Sequence, residues 1–234
     1  VLHHKADVGL GFDGDGDRCG VVDNTGEEIF ADKVGVMLAR DMSAIHKDAQ
    51  FIVDVKSTGL FITDPVLQKQ GARTAYWKTG HSYMKRRTNE TGALAGFEKS
   101  GHFFFNKPYG RGYDDGLVSA LAICDMLDRA PGKSMADLKN ALPKTWSSPT
   151  MSPHCADETK YGVIDKAVKH FEALQANGAK IGGRQRTKLA LKPAHGGALC
   201  SCDYNFGHTS LMGWHIEQGD MIRIFGGTIC LRSA

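Results

Sequence analysis

Apolar positions along this chain follow two rhythms: short runs rich in β-branched and aromatic residues, and longer stretches with apolar residues three and four apart. Their alternation favours an α/β architecture. Residues 7–12 read as a strand running into an acidic loop, and residues 19–23 as the strand leaving it. Asp32 is placed to cap a helix whose inward face is Val34, Met37, Leu38, Met42 and Ile45. Residues 51–55 form a short apolar strand. After Gly59 the rhythm restarts: Pro65 opens a helix that ends before Gly71, and residues 73–77 are a strand. A helix follows over 82–91, then strands at 93–97 and 102–105. A long helix over 114–129 carries Leu117, Leu121 and Cys124 on one stripe, with Val118 and Ala122 beside it. Ser134 and Asp137 match a capping box that opens another helix containing Met135, Leu138 and Leu142.

A Pro- and Ser-rich stretch over 143–153 marks a boundary. Beyond it, residues 158–176 form an amphipathic helix with Tyr161, Ile164, Val168, Phe171 and Leu174 aligned and Gly178 as its C-cap. From about Arg184 the periodicity fades. One hairpin stands out there: a turn at Gly226 and Gly227 pairs Ile224 with Ile229 and Ile222 with Leu231.

Composition narrows the class. Apolar residues make up 41% of the 234 positions and charged residues 24%, enough to build a core and too apolar for wholesale disorder. Glycine, at 28 residues, exceeds the usual share of about 7%, which points to tight turns or backbone that approaches a ligand closely. The longest apolar stretch, 117–127, is broken by Asp125 and falls short of the ~18 residues a membrane span needs. The opening Val-Leu-His-His-Lys lacks the charged and apolar regions of a signal peptide. A net charge of +3, from 29 basic and 26 acidic residues, is too balanced for a nucleic-acid or membrane surface. Six cysteines without paired CxxC spacing imply reduced thiols and a cytoplasmic protein.

The strongest chemical signal is Asp13-Gly-Asp15-Gly-Asp17-Arg18. Three carboxylates at alternate positions can converge on one small cation, and Mg²⁺ wants such oxygen ligands in compact octahedral geometry. An EF-hand would need glycine at the sixth position and glutamate at the twelfth, where this chain has Arg18 and Asn24. An acidic surface turn would show the same residues. The apolar flanks instead set the loop at strand ends, where α/β ligand sites lie. In Glu98-Lys99-Ser100-Gly101-His102, a carboxylate and a hydroxyl two residues apart can bind adjacent sugar hydroxyls, and a nearby imidazole can move a proton near neutral pH. A strand-end Glu and His serve structure at least as often, so this segment alone decides nothing. Thr79-Gly80-His81-Ser82 lies between a strand and a helix, where backbone amides suit an anion and Ser82 equally suits a simple N-cap. Lys85, Arg86 and Arg87 could attract phosphate or form a solvated basic face, and Lys56 follows a strand directly. Gly110–Gly116 reads as a loop plus helix cap without chemistry.

Together, DGDGDR at 13–18, DVKST at 54–58, WKTGHSYMK at 77–85, GFEKSGH at 96–102 and YDDGLVSA at 113–120 resemble the α-D-phosphohexomutase family, most closely its phosphomannomutase/phosphoglucomutase branch. The resemblance runs over about residues 5–180. It implies reversible phosphate transfer between the 1- and 6-hydroxyls of a hexose phosphate, by way of a phosphoserine held on Mg²⁺ and a glucose 1,6-bisphosphate intermediate or activator. It implies metal binding by Asp13, Asp15 and Asp17, with Arg18 beside the phosphoserine. Glu98 and Ser100 would read the sugar's 3- and 4-hydroxyls, while His102, His81 and Lys56 would line the proton-transfer and phosphate-contact region, with Ser82 and Lys85 near the substrate.

Two family features have no match here: the Ser-His-Asn-Pro type loop that carries the phosphoserine, and an Arg-x-Ser phosphate-grasping loop after Arg184. The expected organisation is therefore the end of a metal-binding α/β domain over 1–55, a complete sugar-recognition α/β domain over 56–147, and a partial or atypical last domain over 148–234. Alone, such a chain is expected to lack mutase activity. The alternatives are a phosphoglucosamine mutase or a non-catalytic Mg²⁺ and sugar-phosphate binding fragment. Hexose phosphates are the expected partners in every case.

Overall fold

The computed structural model describes residues 1–147, the helical positions Lys166, Lys169 and Ala173, and the strand residues 203–204, 221–225 and 228–232. The chain divides into two units, Val1–Pro143 and Lys144–Ala234.

The first unit opens with an antiparallel sheet of β1 (Val8–Phe12), β2 (Cys19–Asp23) and β3 (Glu28–Ile29), in that order. Phe12 pairs with Cys19, so the acidic loop 13–18 closes the β1–β2 hairpin. Helix α1 (Ala31–Ile45) follows and leads to a second sheet of β4 (Gln50–Asp54), β5 (Arg73–Trp77), β6 (Ala95–Phe97) and β7 (Phe103–Phe105), ordered β5-β4-β6-β7. The β4–β5 and β4–β6 pairs are parallel, and β6–β7 is antiparallel. Helices α2 (Leu60–Thr63) and α3 (Pro65–Lys69) join β4 to β5, and α4 (His81–Thr91) joins β5 to β6. Helices α5 (Gly116–Asp128) and α6 (Met135–Asn140) complete the unit.

The second sheet is covered on both faces, as a parallel sheet requires. The period of two sorts its residues. Phe51, Val53, Ala95, Phe97, Phe103 and Phe105 face one cluster that includes residues of α1 and α5. Ile52 and Phe104 face the other way, with Met84 of α4 and Ala93. Phe97 is the hub of the larger cluster, with ring centroids 5.1 Å from Phe103, 5.5 Å from Phe61 and 5.8 Å from Phe51. It fixes the end of β6, one residue before Glu98.

Several expectations are corrected. The expected boundary after residue 55 falls inside one compact unit, because β4 is a central strand hydrogen-bonded to β5 and β6 on either side. Phe30, not Asp32, is the N-cap of α1. Asp32 lies in the first turn, buried, and accepts the Thr58 backbone N–H at 3.0 Å. Of the expected α1 face, Val34, Met37, Leu38 and Met42 are buried, but Ile45 is 50% exposed. On α5 the stripe is reversed: Leu117, Leu121 and Cys124 face solvent, while Ser119, Ala120, Ile123 and Met126 are buried. The helix is apolar on two sides, and its small residues decide which side packs. The Gly116 N–H donates to the Gly16 carbonyl at 3.0 Å, an approach open only to the glycine face. The short elements β3 and α2 lie outside the sequence-based expectation.

The capping box at Ser134 and Asp137 is present, and α6 is tied back to the first hairpin by Lys139. Its ammonium donates to Asp23 Oδ2 and Glu27 Oε2, each at 2.6 Å. Burial alone would push the Asp23 carboxyl up, but Lys139, Thr25 and the Glu27 and Thr25 amides outweigh it and hold its pKa well below the usual range. Lys139→Met is expected to cost about 2 kcal/mol of stability at pH 7, because a fully buried carboxylate loses its cation but keeps its other donors. A depressed carboxylate stabilises above its unfolded pKa. In urea titrations the advantage of wild type over the variant should therefore persist at neutral pH and shrink as pH falls below about 4.

In the second unit, β8 (Trp146–Ser147) pairs antiparallel with β9 (Asp203–Tyr204). Strands β10 (Met221–Phe225) and β11 (Thr228–Arg232) form the expected hairpin, with Ile224 opposite Ile229 and Ile222 opposite Leu231. The helix expected over 158–176 and its Gly178 cap lie outside the described residues, apart from three helical positions. No helix among the described residues is long and apolar enough to cross a membrane.

Candidate functional site

Strands β4, β5 and β6 run parallel, so the loops after Asp54, Trp77 and Phe97 leave one edge of the sheet together. The chain passes from β4 to β5 on one side and then to β6 on the other, which makes β4 a switch point where α/β folds bind ligands. The first loop carries Lys56, the second Gly80 with His81 opening α4 after it, and the third Glu98, Ser100 and His102.

Glu98 is 1% exposed. One of its oxygens accepts the Gly80 N–H at 2.5 Å and the other the Ser100 hydroxyl at 3.3 Å. Burial pushes its carboxyl up from the ordinary glutamate value; the Asp54 charge adds to this, while Gly80, His102 and Ser100 oppose it. Gly80 sits at φ 124°, a conformation costly for any other residue, as the N-cap of α4. Gly80, not Ser82, therefore starts that helix; Ser82 is exposed within its first turn, with its hydroxyl 3.5 Å from His81 Nε2.

The acidic loop reaches the same place by a backbone bridge between Arg18 and His102. His102 Nδ1 lies 3.4 Å from Asp17 Oδ2 and 3.0 Å from Asp114 Oδ2. The carboxylates of Asp13, Asp15 and Asp17 each offer an oxygen, all within 4.8 Å of one another. Such an all-oxygen set suits a small, hard divalent cation. Arg18 turns back onto Asp13: its Nε donates to Oδ2 at 2.5 Å and its backbone N–H to Oδ1 at 3.2 Å. The Arg18 hydrogen bond holds the Asp13 carboxyl below its ordinary range.

Asp114, which the sequence places in a loop without chemistry, lies at the centre of this cluster. Asp115 caps α5, accepting the Leu117 and Val118 amides, while Asp114 turns toward the other loops. It faces His102 at 3.0 Å, Lys85 Nζ at 3.4 Å and His81 Nδ1 at 3.8 Å. The His81 and His102 rings stack at 5.8 Å. Two adjacent aspartates where one suffices as a cap were the available signal. Lys56 lies at the β4 end, near enough for its charge to act on Asp54. Thus Asp13, Asp15, Asp17, Arg18, His81, Lys85, Glu98, Ser100 and His102 form a continuous chain of neighbours through Asp114 and Gly80, with Lys56 beside Asp54.

Residues 30–146 match the family model described as phosphoglucomutase/phosphomannomutase, alpha/beta/alpha domain III. A phosphomannomutase/phosphoglucomutase from Pseudomonas putida is 37% identical over 183 residues, and its Pseudomonas aeruginosa counterpart 39% over the same length. Each alignment covers 78% of this chain and 39% of the relative, so the chain spans about two fifths of those proteins. The crystal structure of a phosphoglucomutase/phosphomannomutase family protein from Burkholderia thailandensis superposes with a TM-score of 0.61 at 34% identity, covering 73% of this chain and 35% of that one. With half of its length matched by the domain III model and its mixed α/β fold shared with that structure, the chain belongs to the phosphoglucomutase/phosphomannomutase family.

Proposed function

We propose that this chain carries the cation-binding and sugar-reading parts of a phosphohexomutase site, which transfers phosphate reversibly between the 1- and 6-hydroxyls of a hexose phosphate. The observation that carries the reading is the Arg18–His102 bridge, which sets the three-aspartate loop against the loop of Glu98 and Ser100. Asp13, Asp15 and Asp17 would hold Mg²⁺, which when bound neutralises charge on the transferring phosphoryl group. Glu98, with each oxygen already accepting one hydrogen bond, keeps lone pairs for the neighbouring hydroxyls of a sugar. His102 turns Nδ1 to Asp114, leaving Nε2 as the ring atom that takes or returns a hydroxyl proton. Lys56, Lys85 and His81 supply positive charge for phosphate, and Ser82 a donor at the start of α4. Glucose 1,6-bisphosphate would be the intermediate of such a transfer.

Calorimetric titration with glucose 1-phosphate tests this reading. Saturable binding is expected, weakened about 10- to 100-fold by Glu98→Gln, the scale of one or two charge-assisted hydrogen bonds. The ionised carboxylate accepts from the sugar and its pKa is raised, so wild-type affinity should fall on acidification before the ordinary glutamate range is reached. The variant's affinity should lack that fall. Equal binding by wild type and variant would contradict the assignment of Glu98.

A further inference from the structure

We infer that Asp54 is the positioning residue of this site, a buried carboxylate that latches the three strand-end loops into one arrangement without touching the sugar phosphate. The inference rests on the functional reading above for what the loops bind, but not for how they are held.

Asp54 is the last residue of β4, the strand between β5 and β6, and it is 1% exposed. Its two oxygens reach into all three loops. Oδ1 accepts the Ser57 hydroxyl at 2.5 Å, within the loop that carries Lys56. The same oxygen accepts the Lys99 backbone N–H at 3.1 Å, between Glu98 and Ser100. Oδ2 accepts the Thr79 hydroxyl at 2.9 Å, one residue before the Gly80 amide that holds Glu98. One side chain thus spans the sheet edge from the β5 loop to the β6 loop across its own strand.

A carboxylate at such a site is costly, because removing it from water disfavours its charge. Burial does push this carboxyl up, against the pull of Ser57, Lys99, Thr79 and the Lys56 charge. Ending β4 would need no charged group. What a carboxylate adds is capacity: two oxygens with about four acceptor positions, able to take donors arriving from opposite sides. Other contacts already hold the first loop alone, since Asp32, Lys33 and Tyr76 all bind Thr58. Asp54 joins that loop to the other two through Ser57, Thr79 and Lys99. Because Thr79 and Lys99 flank the partners Gly80 and Glu98, freeing either would let the sugar-reading carboxylate drift from its place.

Amide hydrogen exchange on the free protein, paired with glucose 1-phosphate titration, tests this. In Asp54→Ala, exchange at Ser57, Gly80 and Lys99 should quicken tenfold or more, while Ile52, Val53 and Gly96 in the strands stay protected. Affinity for glucose 1-phosphate should fall tenfold or more. Asp54→Asn keeps an acceptor for Ser57 and Lys99 and can donate to the Thr79 hydroxyl, so it should restore most of the loop protection. Unchanged loop exchange in Asp54→Ala overturns the inference, and so does loosened loops with unchanged affinity. Should Asp54→Ala also lose strand protection, Thr79→Val decides: quickened exchange at Gly80 with Lys99 unchanged supports the latch, and unchanged Gly80 overturns it. If wild type binds no glucose 1-phosphate, the functional reading fails, and the exchange pattern alone decides whether Asp54 holds the loops.

Discussion

Gly116→Ala is expected to cost about 2 kcal/mol of stability and to weaken divalent cation binding about tenfold, although residue 116 carries no candidate ligand. A β-carbon there would lie 2.6 Å from the Gly16 carbonyl oxygen, 2.8 Å from the Arg18 carbonyl oxygen and 3.0 Å from the Phe12 ring. Two of these are backbone atoms of the acidic loop, so they cannot turn aside as a side chain would. Relief requires the loop and the start of α5 to separate, which breaks the Gly116 N–H to Gly16 hydrogen bond. Overpacking of this kind costs about 1–3 kcal/mol. The same displacement moves Asp13, Asp15 and Asp17 relative to His102 and Asp114, hence the loss of cation affinity. Urea denaturation and Mn²⁺ titration read the two effects. A variant unchanged in both would mean that the loop is not seated on α5 as described.

Asp15→Ala should do the opposite: remove most cation affinity and leave the fold alone. Asp15 is exposed, and no hydrogen bond or ion pair among the described residues engages its carboxylate. Asp13 is committed to Arg18, and Asp17 lies against His102. Asp15 is thus the carboxylate of the three without a hydrogen-bond partner, its charge acting only at longer range on Arg18. Its loss should lower Mg²⁺ affinity about 100-fold, some 2.7 kcal/mol at 1.36 kcal/mol per decade. Stability without metal should stay within about 0.5 kcal/mol of wild type, as for surface substitutions that touch nothing. Calorimetry with Mg²⁺ and a melting curve in chelator give the comparison. Unchanged metal affinity would remove the loop from the proposed site.

What the sequence made legible were features written in adjacent residues. The Val21-Val22 pair after the acidic loop and the Thr, Tyr and Trp of 73–77 mark strands, and both ranges, 19–23 and 73–77, match the structure residue for residue. The capping box at Ser134 and the Ile222–Leu231 register follow from local chemistry in the same way. Features set by distant partners were not legible. Helix α5 is apolar on two sides, and only the approach of Gly16, a hundred residues upstream, selects the buried one. Asp32 looks like a helix cap, Asp54 like a strand end and Asp114 like half of a capping pair. Their different roles come from Thr58, from Lys99 and Thr79, and from His102 and Lys85. The boundary after residue 55 failed for a related reason: β4 looks like the end of one α/β repeat, yet its partners come later in the chain. The candidate site was legible as separate motifs. The Arg18–His102 bridge that unites them has no sequence signature.

In the proposed site the acidic loop and the Glu98 loop share one ligand. Mn²⁺ in place of Mg²⁺, with isotope-labelled protein and glucose 1-phosphate observed by NMR, tests this most directly. Paramagnetic broadening is predicted for the His102 and Ser100 signals and for the protons of the bound sugar, and Asp15→Ala should abolish it. Bound Mn²⁺ that leaves His102 and the sugar signals sharp would contradict the account.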